Sequence, residues 1–317
     1  IGKPTAIPED FSKLQELLPF SNVIGLEGGK AIGEYLAHTY PDTNPRKKNN
    51  IQLNLAGGNF NDEAISYICN GLLGIDNSGN KTGILDTACT GLWLARNPIY
   101  SEGMKYIARL LTSNHTIKIL DLHNTGVGLK KAAFNEGKKS NNYDYEQYLT
   151  DNGIEDLCEG LKVNDTLRDL YIGQNALGLM SALIIANYFK FKIDNNLKGI
   201  TSLWIDMNKL CDDGIQILCN VLKDYPYLER LYIGSNHISD IGMTYITEAF
   251  KNHQKIMVLD LGFHEYNNSN IGDSGVSAIC ELIECNKSIE QLIININNII
   301  GFHDNGMLCK MLTSCPL

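Results

Sequence analysis

One apolar pattern recurs along nearly the whole chain. In its clearest copy, residues 228–250, a short alternating segment is followed by an asparagine and then by apolar residues at helical spacing. The second leucine of the alternating segment marks nine copies: Leu17, Leu53, Leu92, Leu120, Leu170, Leu203, Leu231, Leu259 and Leu292. Three of the steps between copies are 28 residues, so the longer steps carry insertions. A strand and a helix in every period predict a solenoid with a parallel sheet inside and helices outside.

The asparagine of the pattern is expected to stabilise the turn after each strand. It is present in six copies, at Asn22, Asn97, Asn175, Asn208, Asn236 and Asn297. Its amide can bond backbone groups where the chain leaves the strand. In the other copies Gly58, Thr125 and His264 take its place, and weaker turns are expected there.

The segments after the asparagine resemble a known family. Residues 24–32, 211–218, 239–246 and 271–279, with LCEGL at 157–161, resemble the helix-starting half of leucine-rich repeats of the ribonuclease-inhibitor type. The resemblance covers residues 14–317. It implies an α/β leucine-rich repeat solenoid, a horseshoe with a parallel sheet on its concave face and α-helices on its convex face. It implies no reaction, because the family is defined by its scaffold.

We expect one leucine-rich repeat domain over residues 1–317. Residues 1–50 hold a degenerate first repeat or cap, because Pro19 stands at a strand position and cannot donate to a sheet. Residues 51–317 hold about eight repeats, with insertions at 74–83, 130–152 and 264–270. The insertion at 130–152 leaves from a loop beside the concave face, so it is either a binding loop or an ordinary surface loop.

Composition narrows the kind of partner. The net charge of −9 and the pI near 5.3 argue against nucleic acid or an anionic membrane and favour a protein with a basic or neutral surface. No apolar run is long enough to span a membrane and no signal peptide is visible, so the expected location, the cytoplasm, rests on the cysteines. A monomer is expected. Lysine exceeds arginine by 22 to 5, a bias typical of AT-rich genomes such as those of protists or intracellular bacteria. If such a pathogen secretes the protein as an effector, its working compartment is the host cytosol.

The cysteines indicate packing rather than cross-linking. Five of the nine occupy one place in the helical half of the repeat: Cys69, Cys158, Cys219, Cys280 and Cys309. Equivalent places in stacked helices form a column of small apolar residues, which predicts free thiols in a reducing compartment. No C-x-x-C pair occurs, and we expect neither a metal nor a cofactor.

The residue between the two inward leucines of each strand is predicted to face the concave solvent. These central positions are Asn54, Trp93, Asp121, Tyr171, Trp204, Tyr232, Asp260 and Ile293. Both tryptophans of the protein are among them. Neighbouring strands would place Tyr171, Trp204 and Tyr232 side by side as an aromatic ladder. The rings are either anchors for a protein partner or a cover that packs flat on the sheet.

Polar residues two positions away complete this predicted surface: His123, Asp169, Ser202, Asp206 and Arg230. An aromatic centre with a polar rim is the usual layout of a protein-binding surface. The predicted partner-binding residues are therefore Trp93, Asp121, His123, Tyr171, Trp204, Asp206, Arg230, Tyr232 and Asp260.

The sequence contains no G-x-x-x-x-G-K-[ST] nucleotide-binding motif, no H-E-x-x-H zinc motif and no G-x-S-x-G serine hydrolase motif. The sequence thus favours a non-catalytic scaffold for protein–protein interaction, either an effector or the sensor part of a receptor. The alternative is activation of a GTPase, since the repeats also resemble those of the Ran GTPase-activating protein. Arg46 and Arg96 would be its candidate arginines.

Overall fold

The repeats form one parallel sheet with a helix after each strand. The structure, a computed structural model, describes residues 24–38, 51–83, 89–131, 149–262 and 272–294. Its strands are β1 (Ile51–Asn54), β2 (Cys89–Trp93), β3 (Ile119–Asp121), β4 (Asp169–Tyr171), β5 (Ser202–Trp204), β6 (Arg230–Tyr232), β7 (Val258–Asp260) and β8 (Gln291–Ile293). They pair in chain order, every pair parallel. This is the predicted α/β leucine-rich repeat solenoid.

The helices form the second layer. They are α1 (Gly25–His38), α2 (Asp62–Leu72), α3 (Tyr100–Ser113), α4 (Asn152–Val163), α5 (Leu179–Asp194), α6 (Cys211–Leu222), α7 (Asp240–Phe250) and α8 (Asp273–Cys285). Each packs against the next helix along the chain. The face of the sheet turned away from these helices is called the concave face below.

The core lies between the two layers and is made by the leucines that mark the repeat. Leu53, Leu92, Leu120, Leu170, Leu203, Leu231 and Leu259 face one another across the strand pairs and are all buried. The helices contribute apolar residues at i, i+3 and i+4 spacing, such as Ile215, Leu218 and Leu222 of α6. Every unit therefore depends on its neighbours for burial of its apolar side.

The predicted role of the asparagines is confirmed for the described units. The Asn175 Nδ2 donates to the Leu122 and Gly173 oxygens, and its Oδ1 accepts from three backbone amides of the preceding turn at 2.8 to 3.2 Å. Equivalent bonds are made by Asn97, Asn208 and Asn236. We call these four residues the asparagine column. Thr125 stands at the place of the asparagine in its unit and keeps a donor bond of this set: its hydroxyl donates to the Leu122 oxygen at 2.8 Å.

A second set of turn residues, after the helices, escaped the sequence analysis. Asn114, Asn164 and Asn286 each accept backbone amides two and three residues later, and Asn164 Nδ2 donates to the Asn114 oxygen at 3.1 Å. Lys192 replaces the amide donor in the following unit: its buried Nζ donates to the Asn164 oxygen at 2.8 Å. The buried lysine therefore has a structural explanation in the repeat.

Four cysteines of the predicted column, Cys69, Cys158, Cys219 and Cys280, are buried on the helices, and burial raises the pKa of each thiol. The seven described cysteines are free thiols, as expected, while the reducing compartment stays a prediction. Within the described ranges no helix combines the length and apolar character needed to cross a bilayer.

The two insertions that can be compared differ slightly from their predicted limits. Ile75 and Lys81 close the first as an antiparallel bridge around a turn held by Asp76. Leu129 and Leu149 close the second, and α4 already begins at Asn152, inside the predicted limit. The remaining expectations fall outside the described residues: Leu17, Pro19, Asn22, Arg46, the interior of 130–152, the segment 264–270, Asn297 and Cys309.

Candidate partner-binding site

The register of the sheet places the central positions in one row across the concave face. Trp93 is the register partner of Asp121, Asp121 of Tyr171, Tyr171 of Trp204, Trp204 of Tyr232, and Tyr232 of Asp260. All four aromatic side chains in this row are only partly buried. The row therefore contains the predicted aromatic ladder, with one carboxylate inside it and one at its end.

Three rings of the ladder stack in strand order. The Trp204 and Tyr232 rings have centroids 3.4 Å apart and planes inclined by 12°, and the Tyr171 and Trp204 rings have centroids 4.9 Å apart with an angle of 26°. These are stacked geometries between side chains on neighbouring parallel strands. Mutual packing and partner contact are compatible, because each ring still exposes part of its surface.

Trp93 joins the stack across Asp121. It lies two strands away from Tyr171, a backbone separation of about 9.6 Å at normal strand spacing. The two ring centroids are nevertheless only 5.6 Å apart, with planes inclined by 44°. The rings therefore lean together over the strand between them, and Asp121 lies beneath.

The two indoles are held by hydrogen bonds on the same face. Trp93 Nε1 donates to Gln52 Oε1 at 2.9 Å, and Trp204 Nε1 donates to Ser202 Oγ at 3.1 Å. Gly91 leaves space for the first bond, since a Cβ there would come within 1.8 Å of Gln52 Oε1. Gln52 and Gly91 were not predicted as part of this surface. A glycine inside an apolar strand was the available signal, because it often marks a close approach.

The predicted exposure of the central carboxylates was wrong. Asp121 is 9% exposed and Asp260 is 3% exposed. The Asp121 Oδ1 accepts the His123 amide at 2.9 Å, and the Asp260 Oδ1 accepts the Gly262 amide at 2.7 Å. Both side chains therefore bend back onto their own turn, a local bond typical of aspartate and asparagine. Burial also raises the pKa of Asp121.

A polar group lies beside the ladder at the start of the strands. Arg230 Nη1 is 3.4 Å from Asp169 Oδ1, across the strand that carries Ser202. Burial raises the pKa of Asp169, with Arg230 and Ser202 opposing the shift. Burial, followed by Asp169 and Asp121, raises the pKa of Tyr171 to about 12. The predicted position of Arg230 beside the ladder is confirmed, whereas Ser202 is buried rather than solvated.

The side chains of His123 and Asp206 both lie against Gly173 at the other side of the ladder, where the strands end. A Cβ at Gly173 would lie 2.7 Å from His123 Nδ1 and 2.8 Å from Asp206 Oδ1. His123 is partly exposed, but Asp206 is 7% exposed and was wrongly expected to be solvated. Its backbone is tied to the preceding repeat, since its oxygen accepts the amide of Gln174. Gly173 has no Cβ and so leaves room for both side chains.

The arrangement is a rigid strip of partly exposed rings with charged groups along both sides. Such a strip can contact a partner without first ordering its own side chains, because stacking and indole hydrogen bonds already fix them. Among the side chains that the structure describes, no three histidines, cysteines or acids come together as a metal site requires.

Of the two candidate arginines for GTPase activation, Arg46 lies outside the described residues and Arg96 is exposed in the loop after β2. The other three arginines make contacts within the solenoid: Arg109 with Asn70, Arg168 with the Leu167 and Gly199 oxygens, and Arg230 with Asp169. Activation of a GTPase stays a prediction, and the geometry gives it no added support.

Comparison with known proteins agrees with this fold. The family model described as Leucine Rich repeat matches residues 226–246. FERM domain-containing protein C of Dictyostelium discoideum is 36% identical over 96 residues, covering 30% of this chain and 6% of the relative. NACHT, LRR and PYD domains-containing protein 3 of Bos taurus is 24% identical over 277 residues, covering 83% of this chain and 24% of the relative. Ribonuclease inhibitor of Sus scrofa is 25% identical over 236 residues, covering 71% of this chain and 49% of the relative.

These matches and the sheet topology show a leucine-rich repeat solenoid that is similar to ribonuclease inhibitor and to NACHT, LRR and PYD domains-containing proteins. The repeats form a scaffold of the protein-binding type. The chain spans less than half the length of each of the three relatives. The activities and partners of those whole proteins therefore do not transfer to this chain.

Proposed function

We propose that the chain is a non-catalytic scaffold that binds a protein partner on its concave face through Trp93, Tyr171, Trp204 and Tyr232. The observation that carries this proposal is a continuous row of four rings in contact, three of them stacked and Trp93 tilted against Tyr171, that keeps part of its surface exposed. Large aromatic side chains held in place before contact are typical anchors of protein interfaces. One relative, by its name, inhibits a ribonuclease, so a protein target has a precedent among similar chains.

Charge supports a basic or neutral partner. The chain carries a net charge of −9, and Asp121, Asp169, Asp206 and Asp260 lie along the ladder against Arg230 and His123. A net negative charge accelerates the approach of a basic protein and orients it. The scaffold acts in the cytosol, either alone as an effector or as the sensing part of a longer receptor.

The test compares two double variants of similar chemistry. Trp93→Ala with Trp204→Ala removes two rings from the concave face, whereas Leu179→Ala with Met180→Ala removes two exposed apolar side chains from α5, on the convex side. Both are checked for folding by circular dichroism and then used beside the wild type to capture partners from cytosolic lysate.

We expect the concave variant to lose a partner that the wild type and the convex variant both retain, with affinity falling at least about 100-fold because two anchors are removed. Retention by the concave variant together with loss by the convex variant would place the binding surface on α5 and overturn the proposal. Equal capture by all three proteins would also overturn it.

A further inference from the structure

The turn bond of Asp121 does not require a charge. Asn54 occupies the same central position on β1, two strands away from Asp121. It makes the same bond, because its Oδ1 accepts the Ala56 amide at 3.1 Å. An asparagine therefore satisfies this turn as well as an aspartate does. The negative charge at position 121 needs a separate explanation.

The charge is unfavourable in the isolated chain. Asp121 is 9% exposed beneath the Trp93 and Tyr171 rings. Among the residues that the structure describes, no lysine, arginine or histidine forms an ion pair with it. His123 and Arg96 attract it from a greater distance, but the effect of burial on its pKa prevails. A desolvated carboxylate of this kind lowers stability unless a cation accompanies it.

The rings beside Asp121 suit a particular cation. Trp93 and Tyr171 flank it on the adjacent strands, whereas the equivalent Asp260 has Tyr232 on one side and Ile293 on the other. Two residues beyond Trp93, Ala95 has only a methyl side chain and leaves space beside Asp121. The His123 ring lies against Gly173, on the side of β4. A planar guanidinium can lie against aromatic rings and donate two hydrogen bonds to one carboxylate, and it sheds water more readily than an ammonium group.

We infer that Asp121 receives an arginine side chain of the protein partner, with the guanidinium packed against Trp93 or Tyr171. This inference rests on the proposed function and specifies the chemistry of its central contact. The remaining rings provide apolar contact around this charged pair, so the partner combines an exposed arginine with an apolar surface.

The two tryptophans of the protein make this contact measurable. Both belong to the ladder, so tryptophan fluorescence reports only on the concave face. In a Trp204→Phe variant, which retains a ring in the stack, the signal comes from Trp93 alone. The probe is the peptide acetyl-Arg-Gly-Arg-Gly-Arg-amide, compared with the same peptide in which lysine or the uncharged isostere citrulline replaces arginine.

We expect the arginine peptide to change Trp93 fluorescence in a saturable way and to bind at least about 10-fold more tightly than the citrulline peptide, as for a charge-assisted contact. Asp121→Asn should reduce the affinity by about 10-fold. Asp76→Asn is the matched control, because it removes the same charge and keeps an acceptor for the amide two residues later, but lies in the insertion at 74–83, away from the ladder; it should alter the affinity less than about 2-fold.

Three results would overturn the inference. These are equal binding by Asp121→Asn and the wild type, equal binding of the arginine and citrulline peptides, and no response to the arginine peptide up to about 1 mM. Tighter binding of the lysine peptide would replace arginine by lysine as the occupant and would overturn the specific assignment.

The capture experiment separates this inference from the proposed function. The inference fails while the concave binding surface stands if two results are found together. Asp121→Asn retains a partner that the double tryptophan variant loses, and it binds the arginine peptide as tightly as the wild type does. If the double tryptophan variant also retains the partner, the proposed function itself fails.

Discussion

The asparagine column and the row of central positions each place one residue per repeat at a fixed point, yet they differ in composition. The column's place in the repeat holds asparagine in four of the six units where the structure describes it, none more than 3% exposed, and Gly58 and Thr125 in the other two. Beside it, the central row changes from asparagine to tryptophan, aspartate, tyrosine and isoleucine. Where the fold uses a specific set of hydrogen bonds, one residue type predominates. Variation in the central row is therefore not imposed by the fold and is available for binding.

The two regions also differ in what they contribute to stability. Asparagine amides in the column satisfy buried backbone groups, which otherwise carry a large desolvation penalty. In the central row, rings are left partly exposed, and burial raises the pKa of Asp121 and so disfavours its charged form. Sites that are less stable than the fold allows are typical of function.

The largest expected effect is in the column. Asn175→Ala removes the acceptor of three backbone amides and the donor to two carbonyl oxygens, all in a buried turn. We expect the free energy of unfolding to fall by about 3 kcal/mol or more, measured by urea denaturation. Asn187→Ala, on the exposed side of α5, is the control and should stay within about 0.5 kcal/mol of the wild type. Similar losses in both variants would contradict a special role for the column.

A smaller effect is expected in the central row. Trp204 and Leu203 are adjacent in β5 but point to opposite faces, so each is the control for the other. Leu203→Ala should cost about 3 kcal/mol because it leaves a cavity in the core, whereas Trp204→Ala should cost about 1 kcal/mol through lost stacking. Equal losses in urea denaturation would show that the ladder serves mainly to cover the sheet, which was the other explanation of its sequence.

Most of the fold was accessible from the sequence because a solenoid repeats local rules. The leucine spacing identified the strands and their register, and side-chain alternation identified the ladder. The second set of turn residues left a signal that was overlooked: N-x-[ST]-[LI] after the helix, as at Asn114, Asn164 and Asn286. A residue type repeated at one point in the period was sufficient evidence for a turn.

The burial of individual polar side chains was not accessible in this way. Asp121 is covered because Trp93 and Tyr171, 28 and 50 residues away, lean together across it. Alternation assigns a residue to a face of the sheet but does not specify how neighbouring side chains pack on that face. Lys192 is a similar case. Its own unit has no asparagine at the place that Asn164 holds in the unit before, and the Lys192 ammonium group donates to the Asn164 oxygen instead. Contacts between units determine both.

The smallest expected effect has the opposite sign. Burial raises the pKa of Asp121 above its value of 3.8 in the unfolded chain, so the folded state holds a proton there more tightly. The ionised form therefore lowers stability at neutral pH, and this loss disappears as the pH falls through the raised pKa. Asparagine carries no charge and can still accept the His123 amide, as Asn54 does for its own turn. We expect Asp121→Asn to raise the free energy of unfolding at pH 7 by less than about 1 kcal/mol.

Urea denaturation at several pH values tests the cause as well as the sign. The stability difference between Asp121→Asn and the wild type should shrink as the pH falls through the raised pKa of the folded state, and vanish below 3.8, where the carboxyl group is protonated in both states. A variant less stable than the wild type at pH 7 would mean that the carboxylate already has a stabilising contact within the chain. A variant that is more stable but binds the arginine peptide more weakly would show that the central row gives up stability in exchange for recognition, unlike the asparagine column beside it.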